Sequence, residues 1–557
     1  MTRVKDKTVD GDMEKQVQSH KTLIEQKLRE VYELQHKVAT LNGKRNSKLP
    51  VSKLPVELVV EIFLHYRDNA FESECYRDDL DYDRTSRKDR HQWWLTLVSV
   101  CRDWRNIALQ TPLLWSILVP SICLEPYALQ TFLARSVGCT LDIFVVLQGW
   151  TDQGDDALLE IFQVSERVRA LFLGLNTPDD DDDDDDGWQV LEMDDASFSS
   201  LECLEVDGSF DNSFTHNLLD QILPTARNLR TLVFRHLAVQ WDRLGPHLSR
   251  TITSLSLVSS YTGWTKKHHN ILNILHDLPS LESLKICDLS SYRPSQAHLA
   301  RWAKKITFPN LKCLEIRGQY VTVSSLLRVI PSRPSSRLVL NIPLQKGENA
   351  NAACNTCLNV FSYIPFPSEA FSASLSFSFG QFVVHISSGT PPPKPLFTIT
   401  FEHSDWQSAP SVGAYYDHLS RKVPNILSNV QNIIIGGRDV FTQLLCIPPF
   451  MKHPVTLPLQ SGRDDGNADT IPVSTKNAIV FPQLKRLQIS YFVLEENSRD
   501  QLSEILETRA RLGYRLPSLS LTNCFMPETM KDRGRFEELK NWFGDKVDIL
   551  ELDGKIV

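Results

Sequence analysis

The chain has 557 residues, 42% of them hydrophobic and 23% charged, and its net charge at pH 7 is -8. A chain of this length exceeds what one compact core accommodates, so we expect an extended array of units or at least two domains. The acidic balance disfavours nucleic acid as the main ligand, because binding to phosphates needs concentrated Lys and Arg.

The sequence carries no membrane or secretion signal. No apolar stretch approaches the roughly 18–20 residues needed to cross a bilayer. The N-terminal sequence MTRVKDKTVDGDMEKQ has no apolar core of the kind that a secretory signal requires. Most of the eleven cysteines lie in apolar runs, as Cys203, Cys287 and Cys313 do. Cysteine used in this way favours a reducing compartment, so we expect the cytoplasm or the nucleus.

A long helix is predicted between Met13 and Leu41, a segment without Pro or Gly. Val17, Ile24, Val31 and Val38 recur every seven residues, which is the spacing of a coiled coil. Met13, Leu34 and Leu41 share the companion position, which His20 and Lys27 interrupt. Two interpretations remain open: the helix pairs two chains into a homodimer through residues 13–41, or it lies on its own protein. A polar linker is predicted over residues 42–48.

Two further helices are predicted next. In SKLPVELVVEIFLHYRD, Pro55 suits a first helical turn, and Leu58 with Ile62, like Val59 with Phe63, lies four residues apart. A polar stretch follows from residue 67 to 92. The segment WWLTLVSVCRDWRNIALQ keeps helical spacing at Trp94, Leu97, Val98, Cys101, Trp104 and Ala108. It ends at Thr111-Pro112, and PLLWSIL forms a short apolar hook.

A loose L-x-x-L-x-L repeat begins near residue 140. Its central positions are 171, 204, 232, 255, 284, 314, 433, 487, 519 and 550. From 171 to 314 and from 487 to 550 the steps are 23 to 33 residues, near the period of a strand-plus-helix unit. Several strands follow a shared lead-in, LPSLESL, FPNLKCL or FPQLKRL, in which Pro fits a turn before the strand. An N-terminal helical part followed by an irregular α/β solenoid is the predicted fold class.

The region from about 345 to 430 departs from this rhythm. SASLSFSFGQFVVHI and LFTITF alternate apolar and polar residues, which predicts a β-rich section near residues 369–402. The sequence leaves two interpretations open, repeats that have lost their helices or an inserted hairpin. The eight aspartates Asp179–Asp186 predict an extended acidic loop, because like charges in sequence repel.

Residues 49–118 resemble the F-box, especially the F-box-like form of large fungal families. The matching blocks are LPVELVVEIF, VSVCRDWRNIAL and TPLLWSIL, in that order. The resemblance implies a helical bundle that docks onto the Skp adaptor of cullin-based ubiquitin ligases, with the repeats binding a protein substrate. We therefore divide the chain into a helix and linker (1–48), an F-box-like domain (49–120) and a divergent leucine-rich-repeat-like domain (121–557).

The same resemblance implies which residues contact the Skp adaptor. They belong to the first helix, the second helix and the apolar hook: Leu54, Pro55, Leu58, Ile62, Phe63, Val98, Cys101, Trp104, Leu114 and Trp115. Two departures stand out. The polar stretch at 67–92 is longer than a typical F-box turn, and only Cys524 occupies the position at which regular leucine-rich repeats stack Asn or Cys.

Catalytic and metal-binding patterns were sought as alternatives. Cys354 and Cys357 form a CxxC pair, but zinc needs four ligands, and no second Cys or His pair stands at a suitable distance. His385 and His403 are isolated in strand-like segments, and His268-His269 fits a solvated helix cap. No phosphate loop, nucleophile elbow or HExxH motif occurs.

We therefore expect no catalytic residue, metal or cofactor, and an unknown protein substrate. The expected function is a substrate-recognition adaptor of a Skp–cullin–F-box ubiquitin ligase, a non-enzymatic subunit. The alternative is an interaction scaffold outside any ligase, dimeric through the N-terminal helix. A hydrolase or transferase hidden in residues 345–430 is disfavoured because that region lacks catalytic motifs.

Overall fold

The computed structural model describes residues 6–75, 93–119, 126–148, 152–176, 196–208, 213–237, 241–258, 271–287, 306, 308–330, 337–344, 360, 364, 371–378, 381–388, 395–403, 426, 428–436, 481–490, 496–522, 524, 535–552 and 555–556. Two compact units divide the chain. The first contains Met1–Val146 and Trp150–Leu171, and the second Leu147–Gly149 and Phe172–Val557. The first unit thus extends beyond residue 120, where the sequence predicted the F-box-like domain to end. Both units are mixtures of helices and strands, and the sheet is mostly parallel.

The first unit is mainly helical. Its helices are α1 (Asp6–Asn46), α2 (Val56–Cys75), α3 (Trp93–Val100), α4 (Arg102–Leu109), α5 (Pro126–Arg135) and α6 (Asp152–Gln163). Short 3-10 turns cover Pro50–Lys53, Pro112–Trp115 and Ser165–Arg167. The strands are β1 (Ile117–Leu118), β2 (Leu141–Gln148) and β3 (Val168–Asn176), and the division between the units falls within β2 and β3. β1 pairs with β2 in parallel, so the predicted apolar hook is a turn followed by a strand.

Helix α1 confirms the predicted N-terminal helix and extends it at both ends. It begins at Asp6 and ends at Asn46, so the linker predicted from residue 42 is largely helical. Gly43 costs up to about 1 kcal/mol inside a helix. Lys44 and Arg45 lie in the last turn, where positive charge interacts favourably with the helix dipole. The favourable interaction of these charges with the helix dipole thus offsets the free-energy cost of Gly43.

The second predicted helix is broken in two. Cys101 separates α3 from α4 with an extended backbone, φ -157° and ψ 172°, and its Sγ accepts a hydrogen bond from the amide of Trp104 at 3.4 Å. Arg105 donates from Nε to the carbonyl of Val98 at 2.8 Å, across the same break. Helical spacing of apolar residues survives a one-residue break, which is why the sequence pattern did not predict it.

The second unit contains fourteen strands among its described residues. They are β4 (Cys203–Gly208), β5 (Thr231–Arg235), β6 (Ser254–Val258), β7 (Ser283–Cys287), β8 (Cys313–Arg317), β9 (Arg337–Leu344), β10 (Phe371–Ser378), β11 (Gln381–Ser388), β12 (Pro395–His403), β13 (Val430–Gly436), β14 (Arg486–Ser490), β15 (Leu516–Thr522), β16 (Val547–Leu552) and β17 (Lys555–Ile556). Its described helices are α7 (Ser213–Ile222), α8 (Trp241–Leu244), α9 (Ile271–Asp277), α10 (Tyr320–Val329), α11 (Glu496–Arg511) and α12 (Arg535–Phe543), with a 3-10 turn at Gly245–His247.

Strands that follow one another in the chain pair in parallel where the sequence predicts the repeats. β4 to β9 pair in chain order, and β13 to β16 do the same. Five predicted central residues of the repeat stand opposite one another across β4 to β8, and Leu338 of β9 continues the row: Leu204, Leu232, Leu255, Leu284, Leu314 and Leu338. All six are buried. Because side chains alternate along a strand, the residues between them lie on the opposite side.

The shared lead-in forms one kind of turn before each strand. The amide of Leu281 donates to the carbonyl of Leu278 at 3.3 Å, and Leu311 and Leu484 donate likewise to Phe308 and Phe481. The apolar residues at both ends of each turn are buried. Proline in the second position presets the backbone angle of such a turn. The lead-in therefore fixes where each strand starts.

The β-rich section is an inserted antiparallel meander. Between β9 and β13 the strand order is β12, β11, β10; β12 is parallel to β9, β10 is parallel to β13, and β11 runs antiparallel to both of its neighbours. Phe382 of β11 stacks on Phe401 of β12, with ring centroids 5.8 Å apart. This pairing matches the hairpin interpretation and not a set of strand-plus-helix units.

We predict that Leu284→Ala destabilises the second unit. The truncation leaves a cavity in the middle of the stacked leucines, and we expect the free energy of unfolding to fall by about 2–5 kcal/mol. Urea denaturation followed by circular dichroism measures the change. The adjacent Ser283→Ala lies on the other side of β7 and is expected to shift it by less than about 0.5 kcal/mol. Equal effects of the two substitutions would contradict the burial pattern.

Candidate protein-docking surface on the helical module

Helix α2 presents two different sides. Val59, Phe63 and Arg67, spaced by four, are buried. Leu58, Ile62 and Tyr66, also spaced by four, are exposed by 50%, 45% and 42%. Residues four apart share one side of a helix, so each set forms a continuous ridge. One ridge holds α2 in its unit, and the other presents large apolar side chains to solvent; we call Leu58, Ile62 and Tyr66 the outer ridge.

Trp115 is the centre of the aromatic core beneath the module. Its ring centroid lies 4.9 Å from that of Phe132 and 6.2 Å from that of Trp94. The indole Nε1 donates to the carbonyl of Ala108 at 2.8 Å, and Arg135 Cζ lies 4.5 Å from the ring centroid. A buried Trp needs a partner for its single N–H, and here the last turn of α4 supplies it. These contacts join α4, the turn at Pro112–Trp115 and α5.

A second aromatic contact joins α2 to α4. Phe63 is fully buried and meets Trp104 edge to face, with centroids 4.9 Å apart and an interplanar angle of 63°. Trp104 is half-buried, so one part of its indole packs on α2 and the rest is accessible. Cys101 orients it by capping α4 through the amide of Trp104. The cap sets the direction of α4 against α2.

Arg67 ties the end of the buried ridge to the turn after α4. Its guanidinium donates to the carbonyl of Leu113 and, from Nε, to Asp68 Oδ1 at 2.8 Å. The arginine is 8% exposed, and both bonds help to satisfy its charge. The side chain of Leu113 is exposed. An apolar side chain from the turn is thus held close to the C-terminal half of α2.

The ten residues predicted to contact an adaptor fall into two groups. Phe63, Leu114 and Trp115 are at most 2% exposed, so they support the module from within. The other seven are exposed or half-buried: Leu54, Pro55, Leu58, Ile62, Val98, Cys101 and Trp104. A contact role for these seven stays a prediction. For the three buried residues the structure shows burial inside the module, and a contact role for them also stays a prediction.

Sequence reasoning missed five apolar residues of this module that are exposed by more than 40%: Leu49, Val56, Tyr66, Val100 and Leu113. Tyr66 was detectable, since it continues the four-residue spacing of Leu58 and Ile62. Helix α2 also extends to Cys75 and so includes the first nine residues of the polar stretch predicted from residue 67. The rest of that stretch, residues 76–92, lies outside the described residues.

The candidate metal and acidic sites fall mostly outside the described part of the chain. Cys354, Cys357, the His268-His269 pair and Asp179–Asp186 all lie there. Within the described residues no group of three or more His, Cys, Asp and Glu is arranged to hold a metal ion. Nor does any described helix combine the length and the apolar character needed to cross a bilayer.

Two titratable side chains on the strands have pKa values displaced by burial. Burial lowers the pKa of His385 below 6.5, and the positive charge of Arg337 acts in the same direction. His385 Nδ1 lies 2.9 Å from Thr398 Oγ1 of the neighbouring strand. Burial raises the pKa of Cys313 above its usual 9.0. A raised pKa leaves little thiolate at neutral pH, which makes Cys313 a poor nucleophile.

Comparison with known proteins identified no relative: no protein-family model matches the chain, and no curated protein is significantly similar to it.

We predict that Trp115→Phe destabilises the first unit. The change keeps an aromatic ring but removes the indole N–H that donates to the carbonyl of Ala108, which then keeps the amide of Thr111 as a donor, at 3.3 Å. Loss of one such hydrogen bond costs about 0.5–1.5 kcal/mol, and the smaller ring also leaves a cavity in the aromatic core; thermal unfolding monitored by circular dichroism detects the change. Tyr66→Phe, on the exposed ridge, is the control and should change stability by less than about 0.5 kcal/mol. A Trp115→Phe protein as stable as the parent would show that the bond is not formed.

We also predict a pH-dependent contribution from His385. Because its pKa is lowered on folding, the unfolded chain binds more protons between that lowered value and 6.5. The folded state therefore loses stability as the pH falls through this window. The parent protein should be less stable at about pH 5.5 than at about pH 7.5. We expect this loss in the free energy of unfolding to be smaller in His385→Gln than in the parent. The exposed His247→Gln serves as the control, and an equal narrowing in both variants would refute the assignment to His385.

Proposed function

We propose that this chain is a non-enzymatic adaptor, in which the helical module docks onto a Skp-type adaptor protein of a cullin-based ubiquitin ligase. The observation that supports this most directly is the outer ridge on α2. Leu58, Ile62 and Tyr66 are half-exposed apolar side chains on a helix whose other side is fixed in the core. Leu58 and Ile62 belong to the block LPVELVVEIF that resembles the F-box, and Tyr66 continues their spacing beyond it.

The physical case for docking rests on exposed apolar area on a rigid base. Burying one such side chain completely contributes about 1.5–3 kcal/mol, and roughly half of each ridge residue is still in water. The base is rigid because Phe63, Trp104 and Trp115 make edge-to-face contacts beneath it. A preorganised surface loses little conformational entropy on binding. Half-buried Trp104 adds an indole, a side chain that is often a binding hot spot.

We propose that the second unit, as a divergent leucine-rich-repeat-like solenoid, binds the protein substrate. On the side of the strands opposite the stacked leucines, charged side chains form two pairs between neighbouring strands. Arg235 Nε lies 2.6 Å from Glu205 Oε1, and Lys285 Nζ lies 3.1 Å from Glu315 Oε1. Because both signs of charge occur on this surface, it favours a protein of mixed charge over the uniform phosphates of a nucleic acid.

Ubiquitin transfer in this proposal is carried out by the partners. The cullin is reached through the Skp-type adaptor, and this chain contributes binding only, with no cofactor. The proposed location is the cytoplasm or the nucleus, where such ligases assemble.

The proposal predicts that the double variant Leu58→Asp with Ile62→Asp loses the Skp-type adaptor. Two carboxylates on the ridge would have to be desolvated on docking, so we expect co-purification to fall by at least about tenfold, or ~1.4 kcal/mol. The matched control is Leu58→Met with Ile62→Met, which keeps both positions apolar and should retain binding. Circular dichroism checks that each variant is folded. Undiminished recovery with the Asp variant would remove the ridge from the docking surface.

An interaction scaffold outside any ligase is the second candidate, and the exposed apolar residues of α1 favour it. The two candidates differ in whether the cullin is recovered with this chain in an affinity purification. A ligase adaptor brings down the cullin together with the Skp-type adaptor, whereas a scaffold brings down neither or only the Skp-type protein. Probing one affinity purification for both proteins therefore separates them.

A further inference from the structure

Helix α1 exposes apolar side chains along most of its length. Val17, Ile24, Val31 and Val38 are each 48–58% exposed, and Leu34 and Leu41 are more exposed still. No other segment within the described part of the chain covers them. Most helical stability in proteins comes from packing of an apolar side rather than from propensity. A helix of 41 residues with such a side is therefore built for a partner.

We propose that the partner is a second copy of this chain, and that the two α1 helices form a parallel, in-register coiled coil over residues 13–41. The first reason is the shape of the side chains at the seam, by which we mean the two rows of α1 residues that would face the other copy. All four residues of the seven-residue repeat are β-branched, and the last two companion positions hold leucine, at Leu34 and Leu41. β-branched residues at the first position with leucine at the second favour the parallel two-stranded form.

The second reason is that the residues flanking the seam in one copy are compatible with the flanking residues that they would meet in the other copy. In a parallel in-register pair, each flanking residue faces the one five positions later in the other copy. Leu23 then meets Leu28, and Glu30 meets Gln35. By the same rule Lys37 meets Asn42, and Gln16 meets Lys21. None of these encounters joins two like charges, so a second copy of the helix can pack against α1 without charge repulsion at the flanking positions.

The opposite orientation fits less well. An antiparallel pair with full overlap places Val17 against Leu41, and it brings Glu30 beside Glu30 of the second copy. Like charges at such positions destabilise the pair. The sequence of α1 therefore favours a second copy of itself as the partner and the parallel orientation over the antiparallel one.

Lys27 is the one charged residue at a core position between Val17 and Leu41, where it faces its own copy. Its Nζ lies 2.8 Å from Glu30 Oε2 on the same helix, which neutralises part of the repulsion. The Leu23–Leu28 contacts flank this layer on both sides and exclude water from it. Polar layers such as those of Lys27 and His20 lower the stability of a coiled coil while fixing its register.

The test measures the mass of the full-length protein in solution by light scattering at micromolar concentration. A dimer has about twice the chain mass of 63.5 kDa. We expect Ile24→Asp with Val31→Asp to return the protein to the monomer mass. The matched control is Ser19→Asp with Gln26→Asp, which adds the same charges seven residues apart away from the seam and should leave the dimer intact. A monomeric parent, or a dimer that persists with both seam residues replaced, overturns the proposal.

Two further variants test the register independently of any effect on helix folding. Lys27→Leu removes the charged layer and should lower the dissociation constant by at least about tenfold, as measured by dilution; an unchanged constant would place Lys27 outside the core. Val17→Cys should form a disulfide between copies under mild oxidation that the parent does not form. Cross-linking only when Leu41→Cys is also present would indicate the antiparallel pair and refute the parallel one.

Discussion

Burial of leucine at one register is the constraint on which the second unit depends. Each parallel strand brings the central leucine of its repeat opposite the leucine of the next, from Leu204 through Leu284 to Leu338. A slip of one residue would turn every one of these side chains to the other side of the sheet. Before β7, β8 and β14 the turn of the Leu-Pro or Phe-Pro lead-in opposes the slip, since its hydrogen bond fixes the residue at which the strand starts. Spacing and turn chemistry thus act together.

Features of the fold that repeat or alternate could be predicted from the sequence. Helix breaks and helix ends that depend on one residue could not. All ten predicted repeat centres lie on strands, because an alternating pattern constrains a β-strand strongly. The break at Cys101 escaped prediction because α3 and α4 keep the same apolar spacing on either side of it. The end of α2 at Cys75 escaped for the opposite reason, since its last turns are polar and no breaker residue stops them. The order of the strands in the meander depends on long-range pairing, which local sequence does not encode.

The candidate docking surface was half predictable for a similar reason. Spacing by four places Leu58 with Ile62 and Val59 with Phe63, but it does not reveal which pair faces the core. That choice depends on contacts with distant parts of the chain, such as the one between Phe63 and Trp104. Trp115 shows the same dependence. It lies in a block that resembles a binding motif, yet Phe132, outside that block, packs against it and closes it off from solvent.

The meander of β10, β11 and β12 has a consequence for how the second unit folds. Within the described strands, it is the connection between the block that ends at β9 and the block that begins at β13. Its own antiparallel pairings are local and form in microseconds, whereas the pairing of β9 with β12 has to close a loop of the fifty residues between Leu344 and Pro395 and is therefore slower. Cooperative unfolding of the two blocks therefore has to pass through these three strands. Weak contacts there, around Phe382 and Phe401, would let one block melt while the other remained folded.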